Sequence, residues 1–196
     1  MDASRNRAAA GVSLVASGTV TVLGFVTAAT QYPGYSPTEQ TISALGSAGA
    51  PPGSQALFNG AMVLAGLLLF AGAVALYRVG DRPLLVGLVA VTGVVGLAGV
   101  GLFPSQTGAL HTVAAMAAFG GAGLTALVVA GTVAGPFRYV SAVLGGFELV
   151  ALALFVVLAG DNPLGVGGLE RWVAYLGLAW VLAFGGFLLP GDLDRG

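Results

Sequence analysis

Gln55–Phe103 reads QALFNGAMVLAGLLLFAGAVALYRVGDRPLLVGLVAVTGVVGLAGVGLF, two apolar runs parted by Gly80-Asp81-Arg82-Pro83. The hydrocarbon core of a bilayer, about 30 Å thick, needs about 20 apolar helical residues to cross it. Gln55–Val79 and Leu84–Phe103 both meet that length, and the Gly and Pro between them punctuate the chain as a turn. The pair therefore reads as a membrane hairpin. Working outward, Ala8–Thr30, Ala109–Val133, Tyr139–Gly160 and Leu169–Pro190 are runs of the same kind. They are separated by Gln31–Ser54, Pro104–Gly108, Gly135-Pro136 and Asp161-Asn162-Pro163. The expected architecture is all-α, a single domain over residues 1–196 with six transmembrane helices and no soluble domain. Ala8–Thr30 follows Arg5 and Arg7 and ends in Thr27-Ala28-Ala29, much like a secretory signal. Its length exceeds the roughly 7–15 residues of a signal's apolar stretch, so it is predicted to be a retained helix.

Composition narrows the chemistry. Of the residues, 57% are hydrophobic and 8% charged, against about 25% charged in a soluble domain. Eight acids against seven bases give a net charge of −1, which offers nothing to a polyanion, so no nucleic-acid partner is expected. All the bases are Arg; without Lys there is no Schiff base for retinal or pyridoxal chemistry. The lack of Cys excludes disulfides, thiolate catalysis and Cys-held clusters, and a single His, His111, excludes a three-His zinc site. Neither a cofactor nor a metal is expected.

Cytoplasmic loops of short length collect Arg and Lys. With six alternating helices, Arg5, Arg7, Arg78, Arg82, Arg138 and Arg195 fall on one side and Arg171 on the other. Both termini are thus predicted to be cytoplasmic in a cell-membrane protein, with Gln31–Ser54, Pro104–Gly108 and Asp161–Gly168 outside. Close helix contacts in lipid need small residues. Gly93, Gly96 and Gly99 on the third span, with Gly120, Gly121 and Gly123 on the fourth, predict tight packing.

The polar exceptions are few. In Tyr35–Ser47, YSPTEQTISALGS, Ser36-Pro37-Thr38-Glu39 has the form of a capping box with Pro at the first helical position. A short helix over about 37–45 is predicted, stopped by a left-handed Gly46, with Ile42 and Leu45 against the bundle. It is either a connector or the roof of a site. Glu148 lies near the centre of the fifth span, where an ionisable group is costly and functional by default. Ser141 and Gly145 share its face, and Thr19, Thr21, Thr92 and Trp180 are candidate partners at similar depth. At the outer end, Glu39, Ser43, Asn59, His111, Glu170 and Arg171 are candidate ligand-binding residues. Arg171 is suited to a phosphate or carboxylate through its planar fork. Glu170 and Arg171 project about 100° apart on a helix and are expected to serve different targets.

Tyr35–Gly46, Phe58-Asn59-Gly60, GLFPSQTGALH leading to His111, and Leu169-Glu170-Arg171-Trp172 with Trp180 following together resemble the multi-pass membrane family known as domain of unknown function 998. That family is common in archaea and bacteria, and the resemblance covers nearly the whole chain. More remotely, the loop, the Phe opening the second span and the His opening the fourth are similar to the Frag/DRAM/Sfk family, which is linked to lipid remodelling or organisation. Here the loop reads Ile42-Ser43-Ala44-Leu45-Gly46, without that group's Asp after Ser, so no catalytic role carries over to Ala44. Three functions follow as expectations. The first is handling of a lipid or amphiphile at an outward polar cavity, with membrane lipids as partners. The second is a scaffold or homo-oligomer subunit, and the third is proton-linked transport of a small solute through Glu148.

Overall fold

The computed structural model describes residues 3–80, 82–158 and 162–189. Asp81, Gly160, Asp161, Pro190 and Arg195, to which the sequence reading assigned turns, span ends or a side of the membrane, lie outside them. Six helices are long and apolar enough to cross a membrane: α1 (Ala3–Thr30), α2 (Pro52–Tyr77), α3 (Pro83–Leu102), α4 (Ala109–Thr132), α5 (Phe137–Leu158) and α6 (Gly165–Leu188). There are no strands among the described residues.

The helices form a closed ring in chain order. Each packs on the next, α6 closes on α1, and α4 also touches α6. Short connections, with the longer 31–51 loop between α1 and α2, leave neighbours antiparallel, so the chain walks around the ring. The sequence periodicity sets the inward faces. On α1, Ala10, Leu14, Ser17, Thr21, Gly24 and Ala28 are buried, while Val12, Leu23 and Val26 face outward. On α5 the buried positions are Ser141, Gly145, Glu148, Ala151 and Leu152, the face that the small residues preceding Glu148 predicted. An apolar rim faces out all round the bundle, with Leu64, Leu67, Val113, Phe147 and Tyr175 exposed.

Close packing rests on backbone-to-backbone contact. In α3, residues Thr92–Ala98 widen into a π-helix, a rare geometry that re-aims the residues it carries. Gly93 meets the backbone of α2 at Gly66, and Gly96 meets α4, where an added Cβ would lie 2.7 Å from Ala118. The three-residue glycine spacing on the third span thus serves two neighbouring helices.

The predicted helix over 37–45 does not form. Ser36–Gln40 makes one turn closed by Gln40 N–H donating to Ser36 O, and a separate 3-10 turn covers Ser43–Gly46. A continuing helix would need Pro37 O, Thr38 O and Gln40 O to accept from residues four ahead. All three acceptors are taken by α6 instead: Arg171 donates to Pro37 O and Gln40 O, and Gly167 N–H donates to Thr38 O. Bonds from a charged guanidinium outcompete a helix of two turns that is marginal in water. The capping box forms by half: Ser36 Oγ accepts from Glu39 N–H, but Gln40 Oε1, not Glu39, accepts from Ser36 N–H. Gly46 is not left-handed; it is required because a Cβ there would run into Asn59 and Phe58. Ile42 and Leu45 are buried against the bundle, as their spacing predicted.

Candidate functional site

Two groups of polar residues stand at different depths. The first is at the loop end of the ring, where the first turn of α6 grips the 31–51 loop. Gly165, with φ 69°, turns the chain so that Gly167 reaches Thr38. Arg171 Nη1 donates to Pro37 O, to Gln40 O at 3.2 Å and to Gly167 O at 2.8 Å, while Nη2 donates to the Tyr35 hydroxyl. Burial pushes the Tyr35 pKa up against the opposing pull of Arg171. The phenol therefore stays protonated and donates to Thr41 O at 2.8 Å. Glu170, 4% exposed, accepts from Ile42 N–H. The two neighbours were expected to serve different targets; the loop wraps the helix start, so side chains pointing apart still hold adjacent parts of it.

The other predicted outer residues are placed as follows. Asn59 Nδ2 donates to Gly46 O at 3.0 Å, and its buried Oδ1 has no partner. His111 Nδ1 lies 2.8 Å from Phe103 O. Ser43 Oγ donates to Thr41 Oγ1 at 3.2 Å. Ser43, His111 and Glu170 share a hollow of about 40 Å³ under the loop, floored by Phe25, Leu97 and Phe119. Glu39 is exposed and stands apart from that hollow.

The second group lies at the centre of the bundle. A hollow of about 60 Å³ is walled by all six helices: Ser17, Thr21 and Phe25 from α1, Leu69 from α2, Thr92 from α3, Phe119 from α4, Glu148 from α5, and Gly177 from α6, among others. Room of that size admits a few waters or a small ion. Glu148 is 1% exposed, and its Oε2 has no hydrogen-bond partner. Gly177 makes space for the carboxyl, since a Cβ on it would overlap Glu148 Oε1. Gly121 likewise admits the Thr92 hydroxyl.

Thr21 and Thr92, candidate partners of Glu148, are thus in the same hollow. Thr19 faces outward. Trp180 lies beside the site in a smaller gap with Thr92 and Thr125, where its Nε1–H donates to Ser141 Oγ at 3.0 Å. Ser17 and Gly177 escaped the sequence reading; the four-residue step from Ser17 to Thr21 was the available signal for the first.

The hollows adjoin one another. The loop-end and central ones share Phe25, Leu97, Ala118 and Phe119 as walls. Toward the other end Trp180 stacks on Phe184 at 5.1 Å, and Phe184 lines a cleft of about 380 Å³ bordered by Arg7 and Arg82. Six apolar helices closed into a ring around a buried carboxyl define a six-helix, multi-pass membrane protein. A family model described as "Protein of unknown function (DUF998)" matches residues 15–186, and the chain belongs to that family. No curated protein and no solved structure matches it.

Proposed function

We propose that this protein is a proton-linked carrier of a small solute, with Glu148 as the group that takes up and releases the proton. The observation that carries the reading is Glu148 Oε2, buried without a partner beside a hollow to which every helix contributes. An unmatched buried acceptor costs about 1–3 kcal/mol, and an intramembrane ionisable group is kept for what it does. The adjoining hollow supports the same reading: Phe25 and Phe119 line both it and the hollow beside Glu148, and Trp180 stacked on Phe184 lies toward the other end. The loop held by Glu170 and Arg171 then acts as the outer gate. From the Arg asymmetry we place both termini in the cytoplasm of a cell-membrane protein.

Proteoliposomes with an interior pH dye test this directly. Wild-type protein should let an imposed solute gradient move protons, and Glu148→Gln should abolish that movement while leaving the fold intact. Undiminished flux in Glu148→Gln would overturn the assignment.

Lipid handling keeps one observation of its own. An open groove of about 460 Å³ on the outer face of α6 is lined by Gly168, Arg171, Trp172, Tyr175 and Leu176. Aromatic and Arg side chains of this kind sit at headgroup level. In this reading Arg171 divides its donors between the loop and a headgroup, and delipidation followed by mass spectrometry should recover a lipid that Arg171→Ala loses. Equal lipid recovery from both forms would remove this reading.

A further inference from the structure

The central hollow has a hydrogen-bonding polarity that its composition does not announce. Ser17 Oγ donates to Ala65 O at 2.8 Å, Thr21 Oγ1 to Ser17 O at 2.9 Å, and Thr92 Oγ1 to Leu88 O at 2.8 Å. A hydroxyl has one proton to give and two lone pairs with which to accept. In all three the proton is committed to a backbone carbonyl, so lone pairs are what these hydroxyls have left. Glu148 adds a carboxyl oxygen with no partner. Thr125, in the adjoining gap, repeats the pattern by donating to Gly121 O. Helical backbone N–H groups are engaged within the helices. The other walls are apolar, and two of them, Phe25 and Phe119, are aromatic.

A lining whose few polar atoms are acceptors takes a cation, and with so few oxygens among aromatic and apolar walls it favours an N–H donor over a metal ion that needs a full shell of oxygens. From this lining we infer that the hollow binds a small ammonium cation, the ammonium ion itself or methylammonium. Ser17, Thr21, Thr92 and Glu148 are the polar residues of an otherwise apolar lining, and their oxygens are the acceptors available to an ion with three or four N–H donors. The hollow of about 60 Å³ suits that size and excludes a larger quaternary amine. A carboxylate offsets much of the charge penalty of bringing a cation into a low-dielectric interior, and the Phe faces add cation–π attraction. The inference rests on Glu148 as the proton site of the proposed carrier and names what competes with the proton. On binding, the carboxyl proton leaves to bulk and the cation takes its place, so charge in the hollow is conserved.

The test uses the full-length protein in lipid nanodiscs, titrated with ammonium, methylammonium, sodium or choline chloride at fixed ionic strength. Ammonium and methylammonium should raise the melting temperature with the logarithm of their concentration, by about 2–4 °C at roughly ten times the dissociation constant. Sodium, which needs more coordinating oxygens than this lining offers, and choline, which is too large, should give only the flat salt response. Glu148→Gln should weaken the ammonium response roughly tenfold or more, the size expected for a lost charge-assisted bond. Thr21→Val, which keeps shape and removes the lone pairs, should weaken it less while retaining the fold. An equal response to sodium or choline, or an ammonium response surviving in Glu148→Gln, would overturn the inference. The two readings fail separately. Proton flux without an ammonium-specific shift sinks the cation site alone, whereas an ammonium shift lost in Glu148→Gln without any proton flux sinks the carrier and leaves the site.

Discussion

Glu170 and Glu148 are both buried carboxyls on neighbouring helices, 4% and 1% exposed, and they differ in what faces them. Glu170 is met by the Ile42 N–H, and Arg171 beside it satisfies three carbonyls and a phenol. Glu148 is met by a hollow. At the loop end all but Asn59 Oδ1 of these polar atoms are spent on holding the chain; at the centre an oxygen of an ionisable group is left over. Buried polar groups are ordinarily paired, and an unpaired carboxyl oxygen beside a hollow is a stronger mark of function than an unpaired amide oxygen whose own amide nitrogen holds the loop. The same contrast runs through the hydroxyls, since Ser54 Oγ simply donates to Leu45 O under the loop, while Ser17, Thr21 and Thr92 make the same kind of bond but line a hollow.

That contrast can be broken by substitution, beginning where the effect is largest. Arg171→Ala removes the clamp on Pro37, Gln40 and Tyr35 and should destabilise the protein by about 3 kcal/mol, the scale of hydrogen bonds to a charged group. Limited proteolysis should then cut within residues 31–51, and a loop as protected as in wild type would contradict the clamp. Glu170→Leu strands the Ile42 N–H and should lower stability by about 2 kcal/mol, with faster amide exchange at Ile42. Glu148→Leu should do the opposite. It replaces an unmatched acceptor with apolar volume and should raise stability by about 1–2 kcal/mol while proton flux is lost. If the two Leu variants shift the melting temperature in the same direction, the distinction between a structural and a functional carboxyl falls.

How much of this was legible in the sequence depended on the range of the interaction. Span number and the inward face of α5 are local properties of length and period, and Ser141, Gly145 and Glu148 displayed that face directly. The loop was misread because its conformation is decided by partners 128 to 136 residues away in α6, which take the acceptors a local helix would have used. Gly46 looked like a helix stop and proved to be a packing position against Asn59 and Phe58. Thr19 and Thr21 are equivalent by composition, and only the closure of α1 onto α2 and α6 places Thr21 inside and Thr19 outside. Gly177 carried no sign of its task, since making room for a carboxyl on another helix is invisible until the ring is closed.

Smaller substitutions sharpen the comparison within the hollow itself. Gly177→Ala places a methyl against the Glu148 carboxyl. The end of that side chain can swing into the hollow, so the cost should be about 1 kcal/mol, with the ammonium-induced shift in melting temperature largely lost. Thr21→Val should have the least effect on stability, about 0.5–1 kcal/mol, because it deletes one hydroxyl-to-carbonyl bond at Ser17 and fills the same volume. Its value lies in separating two roles for the hydroxyl. If Thr21 serves only to satisfy the Ser17 carbonyl, the valine variant loses a little stability and keeps the full ammonium response. If its lone pairs face the cation, the response weakens by more than that loss of stability accounts for. Measuring both quantities on the same nanodisc sample decides between a helix-internal hydrogen bond and a wall of the binding site.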